Sequence, residues 1–350
     1  AIICALPGAG AHAAIERKRK TVILLIGPGA VGSILAAHLM KARRMPLKLL
    51  VREKYLARMQ ALPEMRMDYA DARPPLRTAI PALTSTLDLA GVDYLFICVK
   101  FPDLDALLSQ LPPIPATCTL VSTLNGINAL RQIRARLPQA RTVPMTVMFN
   151  GQLLSPLHTR ITTRAQVLIG SGDRRLLELF GGSGMQVRQV REETAVWGKL
   201  LINLANAICA VTHTTFRDLL SQPDLRRIYV AVLDEAIAML DTAGVDYQLP
   251  VPLPYPLYRR FLLSGGPLPW WVAKFKNGLQ DGAYPSMVSD IEQRRLTEVD
   301  QLNGEIVRMA AAQGVAAPVN AALTALVRQL ETDPDPRPLT PAGLRARLGT

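Results

Sequence analysis

The stretch Thr21–Ile26 (TVILLI), followed directly by Gly27–Gly32 (GPGAVG), decides the fold of this chain. The first six residues are apolar and mostly β-branched or leucine, as is typical of a strand buried on both faces of a parallel sheet. The next six follow the pattern G-x-G-x-x-G, and an Ala- and Leu-rich stretch continues to Met40 as a predicted helix. A strand, a glycine turn and a helix in this order predict a dinucleotide-binding unit.

Each glycine of the turn has its own physical task. Gly27 permits the tight turn, Gly29 lets the backbone approach a pyrophosphate, and Gly32 lets the helix lie close to the strand. The N-terminus of the helix attracts the anion through its free N–H groups and its dipole. The residues that we therefore assign to cofactor binding here are Gly27, Gly29, Ala30, Val31 and Gly32.

The same stretch could also be a membrane segment or a signal peptide. Val22–Met40 contains no Lys, Arg, Asp or Glu, and the basic run Arg17–Lys20 precedes it. However, the glycines and Pro28 interrupt it in the middle, and no A-x-A-like cleavage site follows. We therefore expect a soluble strand–turn–helix with no membrane partner, preceded by an N-terminal extension over residues 1–20.

Composition limits the class of protein. A length of 350 residues favours two domains, and a hydrophobic content of 49% excludes intrinsic disorder. The four cysteines and four histidines form no C-x-x-C or H-x-x-H pair, which predicts no metal site and a reducing, cytoplasmic compartment. The net charge of +12 suits either nucleic acid or a small phosphorylated ligand. Trp270-Trp271 beside Lys274 and Lys276 is an isolated aromatic–basic group, so we expect no nucleic-acid partner.

The end of the second predicted strand, Leu47–Val51, should hold the residue that contacts the ribose. Arg52 comes first after this strand, followed by Glu53 and Lys54. An acid there would bind the ribose hydroxyls of NAD, whereas an arginine would pair with the 2′-phosphate of NADP. The positive charge favours Arg52 and NADPH, although these charges could also be ordinary solvated loop residues.

Two further apolar runs end in polar residues. Tyr94–Val99 ends at Lys100, and Thr119–Thr123 is followed shortly by Asn125. Ligands of open α/β sheets bind beyond the carboxyl ends of the strands. Lys100 and Asn125 are therefore expected to reach a cofactor or a substrate.

The second half of the chain is predicted to be helical from about residue 194. The segment Val196–Val211 is apolar apart from Lys199, Asn203 and Asn206, which share one face of an α-helix. Polar residues in an apolar helix are costly unless they are paired or face a cleft, which favours a functional face over a solvent-facing stripe.

Later in the chain, Ser286 and Glu298 would lie about 18 Å apart on one straight helix. A helix break near residues 294–296 would bring these two residues together, and the sequence suggests such a break. A helix is predicted over Asn303–Ala312, and the Pro-rich tail over residues 331–350 is expected to be loosely ordered.

Taken together, these motifs resemble the ketopantoate reductase (2-dehydropantoate 2-reductase) family from Thr21 to about Leu330. The resemblance rests on an ordered series of motifs: GPGAVG at 27–32, Lys100, Asn-Gly at 125–126, Trp-Gly-Lys-Leu at 197–200 with Asn203, Ser-Met at 286–287, Thr-Glu-Val-Asp at 297–300, Leu-Asn-Gly at 302–304 and Gly-Val-x-x-Pro-Val-Asn at 314–320. It implies an α/β Rossmann-type domain over residues 21–190 and an all-α domain of the 6-phosphogluconate-dehydrogenase-like type over residues 191–330. It also implies NADPH-dependent reduction of ketopantoate in pantothenate and coenzyme A synthesis.

The resemblance assigns roles to single residues. Lys199 and Glu298 take the catalytic positions, and Arg52, Lys100 and Asn125 take positions at the cofactor and the cleft. Asn203 and Ser286 take substrate-binding positions. The family has a second substrate asparagine four residues after the first, where this chain has Ala207, and we expect Asn206 to substitute for it.

The departure at residue 207 leaves alternatives open. One is an NADPH-dependent reductase of a different 2-oxo acid, and another is a non-catalytic NADP-binding sensor. In either enzymatic case the partner is a small 2-oxo acid, and a homodimer is an open possibility for the assembly.

Overall fold

The computed structural model describes residues 22–350, apart from residues 72, 171, 252, 278–281 and 283, and describes residues 276 and 277 by their backbone alone. The predicted N-terminal extension and the side chain of Lys276 lie outside the described residues.

The first half of the chain is built on an eight-stranded sheet. Its strands are β1 (Val22–Ile26), β2 (Leu47–Leu50), β5 (Ala82–Thr84), β6 (Val92–Ile97), β7 (Thr119–Ser122), β8 (Arg141–Val147), β11 (Gln166–Ile169) and β12 (Gln186–Gln189). They lie in the order β12-β11-β8-β7-β6-β1-β2-β5. From β5 to β8 all neighbouring strands are parallel, β11 is antiparallel to β8, and β12 is parallel to β11.

The centre of this sheet is apolar on both faces. In β1, Leu25 pairs with Leu49 of β2 on one side and with Phe96 of β6 on the other, and all three side chains are fully buried. This is the reason for the unbroken apolar run of the first strand, because helices cover both faces of a parallel sheet. Because β1, β2, β6 and β7 are parallel, their carboxyl ends lie along one edge of the sheet.

Five helices lie in the described part of this half, and a second sheet, which the sequence did not predict, covers one of them. The helices are α1 (Ala30–Ala42), α2 (Glu53–Gln60), α3 (Phe101–Gln110), α4 (Ile127–Arg136) and α5 (Arg174–Glu178). The second sheet has the order β4-β3-β10-β9, formed by β3 (Met65–Tyr69), β4 (Leu76–Thr78), β9 (Gly151–Ser155) and β10 (His158–Ile161).

Helix α1 contacts the strands of the second sheet on the side away from the large sheet. Its eight consecutive residues Gly32–Leu39 are therefore buried. The side chain of Ile34 lies so close to the backbone of Gly151 that a Cβ added at Gly151 would be 2.3 Å from the Cδ1 atom of Ile34. The long uncharged segment Val22–Met40 is thus a central strand and an enclosed helix.

The second half of the chain is helical. Its elements are α6 (Glu192–Asn203), α7 (Ala205–Thr212), α8 (Phe216–Ser221), α9 (Pro223–Thr242), α10 (Tyr255–Leu262), α11 (Leu268–Asn277), α12 (Ser286–Glu292), a 3₁₀ turn (Val299–Gln301), α13 (Asn303–Ala312), α14 (Pro318–Thr332) and α15 (Pro341–Leu348). Helix α7 is buried along its whole length among α9, α12 and α14. The fold is thus α/β with a parallel-sheet N-terminal domain and a helical C-terminal domain, as the sequence predicted.

The helix predicted over Val196–Val211 is present and forms α6 and α7, which follow each other almost without a break because Leu204 keeps right-handed helical dihedral angles. Helix α6 ends at Asn203 and α7 begins at Ala205, with Leu204 between them. Among the described residues, the stretch Glu192–Thr212 is long and apolar enough to cross a membrane by length and composition, but most of it is buried inside the protein. Its apolar character is explained by its place in the core.

The expectation of a loosely ordered tail is wrong for its last part. Residues Pro341–Leu348 form α15, the side chain of Leu344 is fully buried, and Arg345 pairs with Asp224 at 2.9 Å. The prolines of the tail led to this expectation, although Thr340 and Pro341 make a favourable helix start.

Candidate active site

The glycine turn has the geometry that its sequence predicts. Gly27 has a φ of +88°, and a Cβ at this position would lie 2.9 Å from the backbone of Cys98 and Val99. A Cβ at Gly32 would lie 2.3 Å from the carbonyl oxygen of Gly27. A Cβ at Gly29 would meet no protein atom within 4 Å. Gly27 and Gly32 are therefore required by the fold itself, whereas Gly29 borders open space.

The N-terminus of α1 lies directly behind this turn. Helix α1 begins at Ala30 and Val31, with Gly29 as its N-cap and no side chain capping it. No acidic residue occupies its first turn. Free N–H groups and an uncompensated positive dipole end are the features that bind phosphate at such turns, so the residues present fit the pyrophosphate of a dinucleotide.

Arg52 lies at the carboxyl end of β2, one strand away from the glycine turn. It is the N-cap residue of α2, its side chain is 67% exposed, and its guanidinium donates to Asp103 at 3.5 Å. Glu53 and Lys54 are also exposed at the start of α2. Since this contact with Asp103 is long and open to solvent, the guanidinium is available to an anion.

The two halves of the chain meet at a group formed by Lys199, Glu298 and Asn125, which we call the catalytic cluster because the resemblance predicts a catalytic role for Lys199 and Glu298. The amide of Asn125 donates to Glu298 Oε2 at 2.9 Å, which joins the end of β7 to the 3₁₀ turn before α13. Lys199 of α6 lines a small cavity together with Asn125 and Gly126. The structure thus brings together three residues that are separated by up to 173 positions in the chain.

The electrostatics of the catalytic cluster are unusual for its residue types. Burial lowers the pKa of Lys199 to about 8, against a smaller opposing effect of the Glu298 charge. Burial also raises the pKa of Glu298, while the Asn125 hydrogen bond and the charges of Lys100 and Lys199 act in the opposite direction. An amine with a pKa near neutral pH can both carry a proton and release it, as a general acid requires.

Lys100 reaches across the cleft, but its partner was not predicted. Its Nζ atom donates to Asp290 Oδ1 at 2.7 Å, and Arg295 contacts the same oxygen at 3.0 Å. The side chain of Asp290 is 7% exposed. Asp290 follows Ser286 by four residues on α12, but Glu292 is a second acid on the same short helix, so the sequence alone did not single out Asp290.

The predicted substrate residues do not form a hydrogen-bonded group like the catalytic cluster among the described residues. Asn203 and Asn206 are buried at 7% and 5% exposure, and within the described part of the chain neither side chain makes a hydrogen bond. Ser286 is exposed at the first position of α12, a helix that contacts α7. Buried amides without a protein partner are available to a ligand that enters the cleft.

The predicted helix break between Ser286 and Glu298 is present. Helix α12 ends at Glu292, and Arg294 has a φ of +53°, which turns the chain back before Thr297. The Thr297 hydroxyl accepts a hydrogen bond from Val299 N at 3.2 Å just before the 3₁₀ turn, whose N-cap residue is Glu298.

Two other features lie apart from the catalytic cluster. A larger cavity of about 700 Å³ lies at the opposite edge of the sheet, between the end of α1 and β4, and contains none of the predicted site residues. Among the described residues, no group of three or more His, Cys, Asp or Glu converges as metal ligands do.

Comparison with known proteins gives two matching family models. The model of ketopantoate reductase PanE/ApbA matches residues 23–174, and the model of its C-terminal part matches residues 192–331. A 2-dehydropantoate 2-reductase of Mycobacterium tuberculosis is 29% identical over 323 residues, which cover 90% of this chain and 99% of that protein. The one of Caulobacter vibrioides is 27% identical, with 88% of this chain and 98% of that protein covered.

Solved structures share the fold at lower identity. A PanE/ApbA family ketopantoate reductase from Ralstonia eutropha has a TM-score of 0.72 at 23% identity, covering 89% of this chain and 98% of its own. A D-mandelate dehydrogenase in complex with NADH and anilino(oxo)acetate has a TM-score of 0.73 at 20% identity, with the same coverage. These likenesses establish the architecture of both domains.

Proposed function

The chain belongs to the ketopantoate reductase family, and we propose that it reduces 2-dehydropantoate (ketopantoate) to pantoate with NADPH. The observation that carries this proposal is the catalytic cluster, in which a partly buried lysine of lowered pKa shares a cavity with Asn125, whose amide donates to a partly buried glutamate. The curated relatives are 2-dehydropantoate 2-reductases, and the chain spans almost their full length. The reaction is a step of pantothenate and coenzyme A synthesis.

When bound, the cofactor supplies a hydride to the C2 carbonyl carbon of the oxo acid. Lys199, which lines the small cavity, would stabilise with its ammonium the negative charge that develops on the carbonyl oxygen and would then donate the proton. Glu298 orients Lys199 by its charge, and Asn125 holds the glutamate carboxylate in place. Lys199 and Glu298 are thus the catalytic residues of the proposal.

In this proposal the substrate is held by polar groups around the catalytic cluster. The unpaired amides of Asn203 and Asn206 and the hydroxyl of Ser286 would hold the substrate carboxylate and hydroxyl, which fixes the carbonyl for attack. Lys100 adds positive charge at the same edge of the sheet.

A dinucleotide cofactor follows from the family and from the glycine turn, and Arg52 favours NADPH over NADH. Its guanidinium is exposed at the end of β2 and suits a 2′-phosphate, because arginine binds phosphate through paired N–H donors. Glu53 is the acid that would instead bind the ribose of NADH.

The substrate assignment is tested by a panel of 2-oxo acids with the oxidation of NADPH followed by its absorbance. We expect the highest kcat/KM for ketopantoate and little turnover of linear or aromatic 2-oxo acids. A clear preference for another acid would contradict the proposal and would favour the alternative motivated by Ala207, which is fully buried beside Asn206. Cofactor binding without turnover of any member would indicate the sensor.

A further inference from the structure

Glu305 of α13 is a buried carboxylate in the interface between the two domains, and the proposed reaction does not use it. Its side chain is only 2% exposed. It accepts hydrogen bonds from Asn128 at 2.9 Å and from Arg131, both on α4, and from Arg308 at 2.8 Å on its own helix. A carboxylate is costly to bury unless it is paired, so this degree of satisfaction is required for its position.

The donors from α4 continue a series of contacts that begins in the catalytic cluster. Asn125 donates to Glu298, and the backbone of Gly126 lies so close to Gln301 that a Cβ would come within 2.7 Å of its carbonyl oxygen. One turn further along α4, the donors meet Glu305. The start of α4 and the segment from the 3₁₀ turn to α13 are therefore in contact at three successive places along the chain. Asn125 contacts Glu298, Gly126 contacts Gln301, and Asn128 and Arg131 contact Glu305.

Of these three contacts, the one at Glu305 has the most charged groups and the most hydrogen bonds. Gly126 contributes only close backbone contact, for which its φ of +80° and missing side chain are needed. The bond from Asn125 is a single amide–carboxylate contact. Glu305 accepts from two donors on α4, and in the bond from Arg131 both the donor and the acceptor are charged, so the carboxylate of Glu305 contributes most to holding α4 against α13.

We propose that Glu305 is a positioning residue that anchors α4 to α13 and so holds the amide of Asn125 on the carboxylate of Glu298. This proposal depends on the proposed function only through the catalytic role that is given there to Glu298. Besides Asn125, the charged groups that act on Glu298 are Lys100, Lys199 and Asp290, which lie on three other segments.

Loosening the anchor has a defined chemical consequence. The Asn125 hydrogen bond lowers the pKa of Glu298, whereas burial raises it. If Asn125 moves away, the pKa of Glu298 rises further, and a larger fraction of the enzyme at low pH carries a protonated and inactive Glu298. The acidic limb of the pH profile of kcat/KM should then move to higher pH.

The variants Glu305→Gln and Arg131→Gln test the anchor, with Arg308→Gln as the matched control. Arg131 is 56% exposed, so its variant is expected to fold even if the substitution of the buried carboxylate impairs folding. Arg308 contacts Glu305 on its own helix and the carbonyl oxygen of Asp300 in the 3₁₀ turn before it, so both of these contacts stay on one side of the interface. We expect the acidic limb to move up by about half a pH unit in the first two variants and to stay in place in the control.

Hydrogen exchange followed by mass spectrometry supplies a readout that does not depend on turnover. The amides of α4 should exchange faster in Glu305→Gln and Arg131→Gln, and at the wild-type rate in Arg308→Gln. Unchanged exchange and an unchanged acidic limb in Arg131→Gln, or an equal change in the control, would overturn the proposal. A wild-type protein that does not reduce ketopantoate would contradict the proposed function alone, because the exchange of α4 would still decide whether the anchor exists.

Discussion

The glycine turn and the catalytic cluster are built in opposite ways. The turn consists of six consecutive residues, and its function depends on backbone conformation: a positive φ at Gly27 and missing side chains at Gly29 and Gly32. The catalytic cluster consists of three side chains from distant segments, and its function depends on burial and on one interdomain hydrogen bond. The first can be recognised within a short window of sequence, whereas the second exists only after both domains have folded and met.

This difference predicts different consequences of substitution. A change in the catalytic cluster should alter the reaction and leave the fold and cofactor binding nearly intact. A change in the glycine turn should alter stability or cofactor affinity first, since its atoms support the backbone and border the proposed phosphate site.

The largest effect on the reaction is expected for Lys199→Ala. Removal of the ammonium eliminates both charge stabilisation and proton donation, so kcat should fall by about 10²–10⁴-fold. NADPH affinity, measured by fluorescence titration, should remain within a factor of a few. Lys48→Ala, which removes an exposed lysine on β2, is the matched control and should leave kcat unchanged. Normal turnover by Lys199→Ala would exclude this residue as the acid.

The two glycine substitutions Gly32→Ala and Gly29→Ala should separate stability from cofactor binding. A Cβ at position 32 would collide with the Gly27 carbonyl, so we expect a loss of roughly 1–3 kcal/mol in the free energy of unfolding. A Cβ at position 29 meets no protein atom, so stability should be preserved while NADPH affinity falls.

Chemical denaturation and cofactor titration of both variants measure this pair of effects. If Gly29→Ala bound NADPH as tightly as the wild type, the turn would not be the pyrophosphate site.

A smaller effect is expected for Arg52→Gln. Loss of the guanidinium should lower the ratio of kcat/KM with NADPH to that with NADH by about tenfold, because a charged hydrogen bond to the 2′-phosphate is removed at an exposed site. Lys54→Gln removes a neighbouring charge that lies beyond the strand end and should change the ratio less. An unchanged ratio in Arg52→Gln would assign the cofactor preference to other residues.

The sequence predicted the features that depend on local order. The strand before Gly27, the helix after it and the chain reversal near Arg294 are all present, because glycine spacing and hydrophobic periodicity act over a few residues. The resemblance to a family supplied Lys199 and Glu298 as a pair before any contact was known.

Features that depend on distant packing were missed. Helix α15 was missed despite its local helix start at Thr340 and Pro341, whereas the second sheet over α1 is decided by what lies against it. Asp290 and Glu305 escaped notice for the same reason: an acidic residue in a helix gives no sign of burial until a cation from another domain is placed beside it.

The pH dependence of kcat/KM for ketopantoate tests the central claim most directly. Lys199 must carry its proton to act as the acid, and burial in the catalytic cluster lowers its pKa to about 8, so activity should decline as the pH rises through that value. Glu298 must be ionised, and its pKa is raised by burial, so activity should also decline as the pH falls toward that raised value. A profile that stays flat up to about pH 10, where an ordinary lysine titrates, would contradict the account.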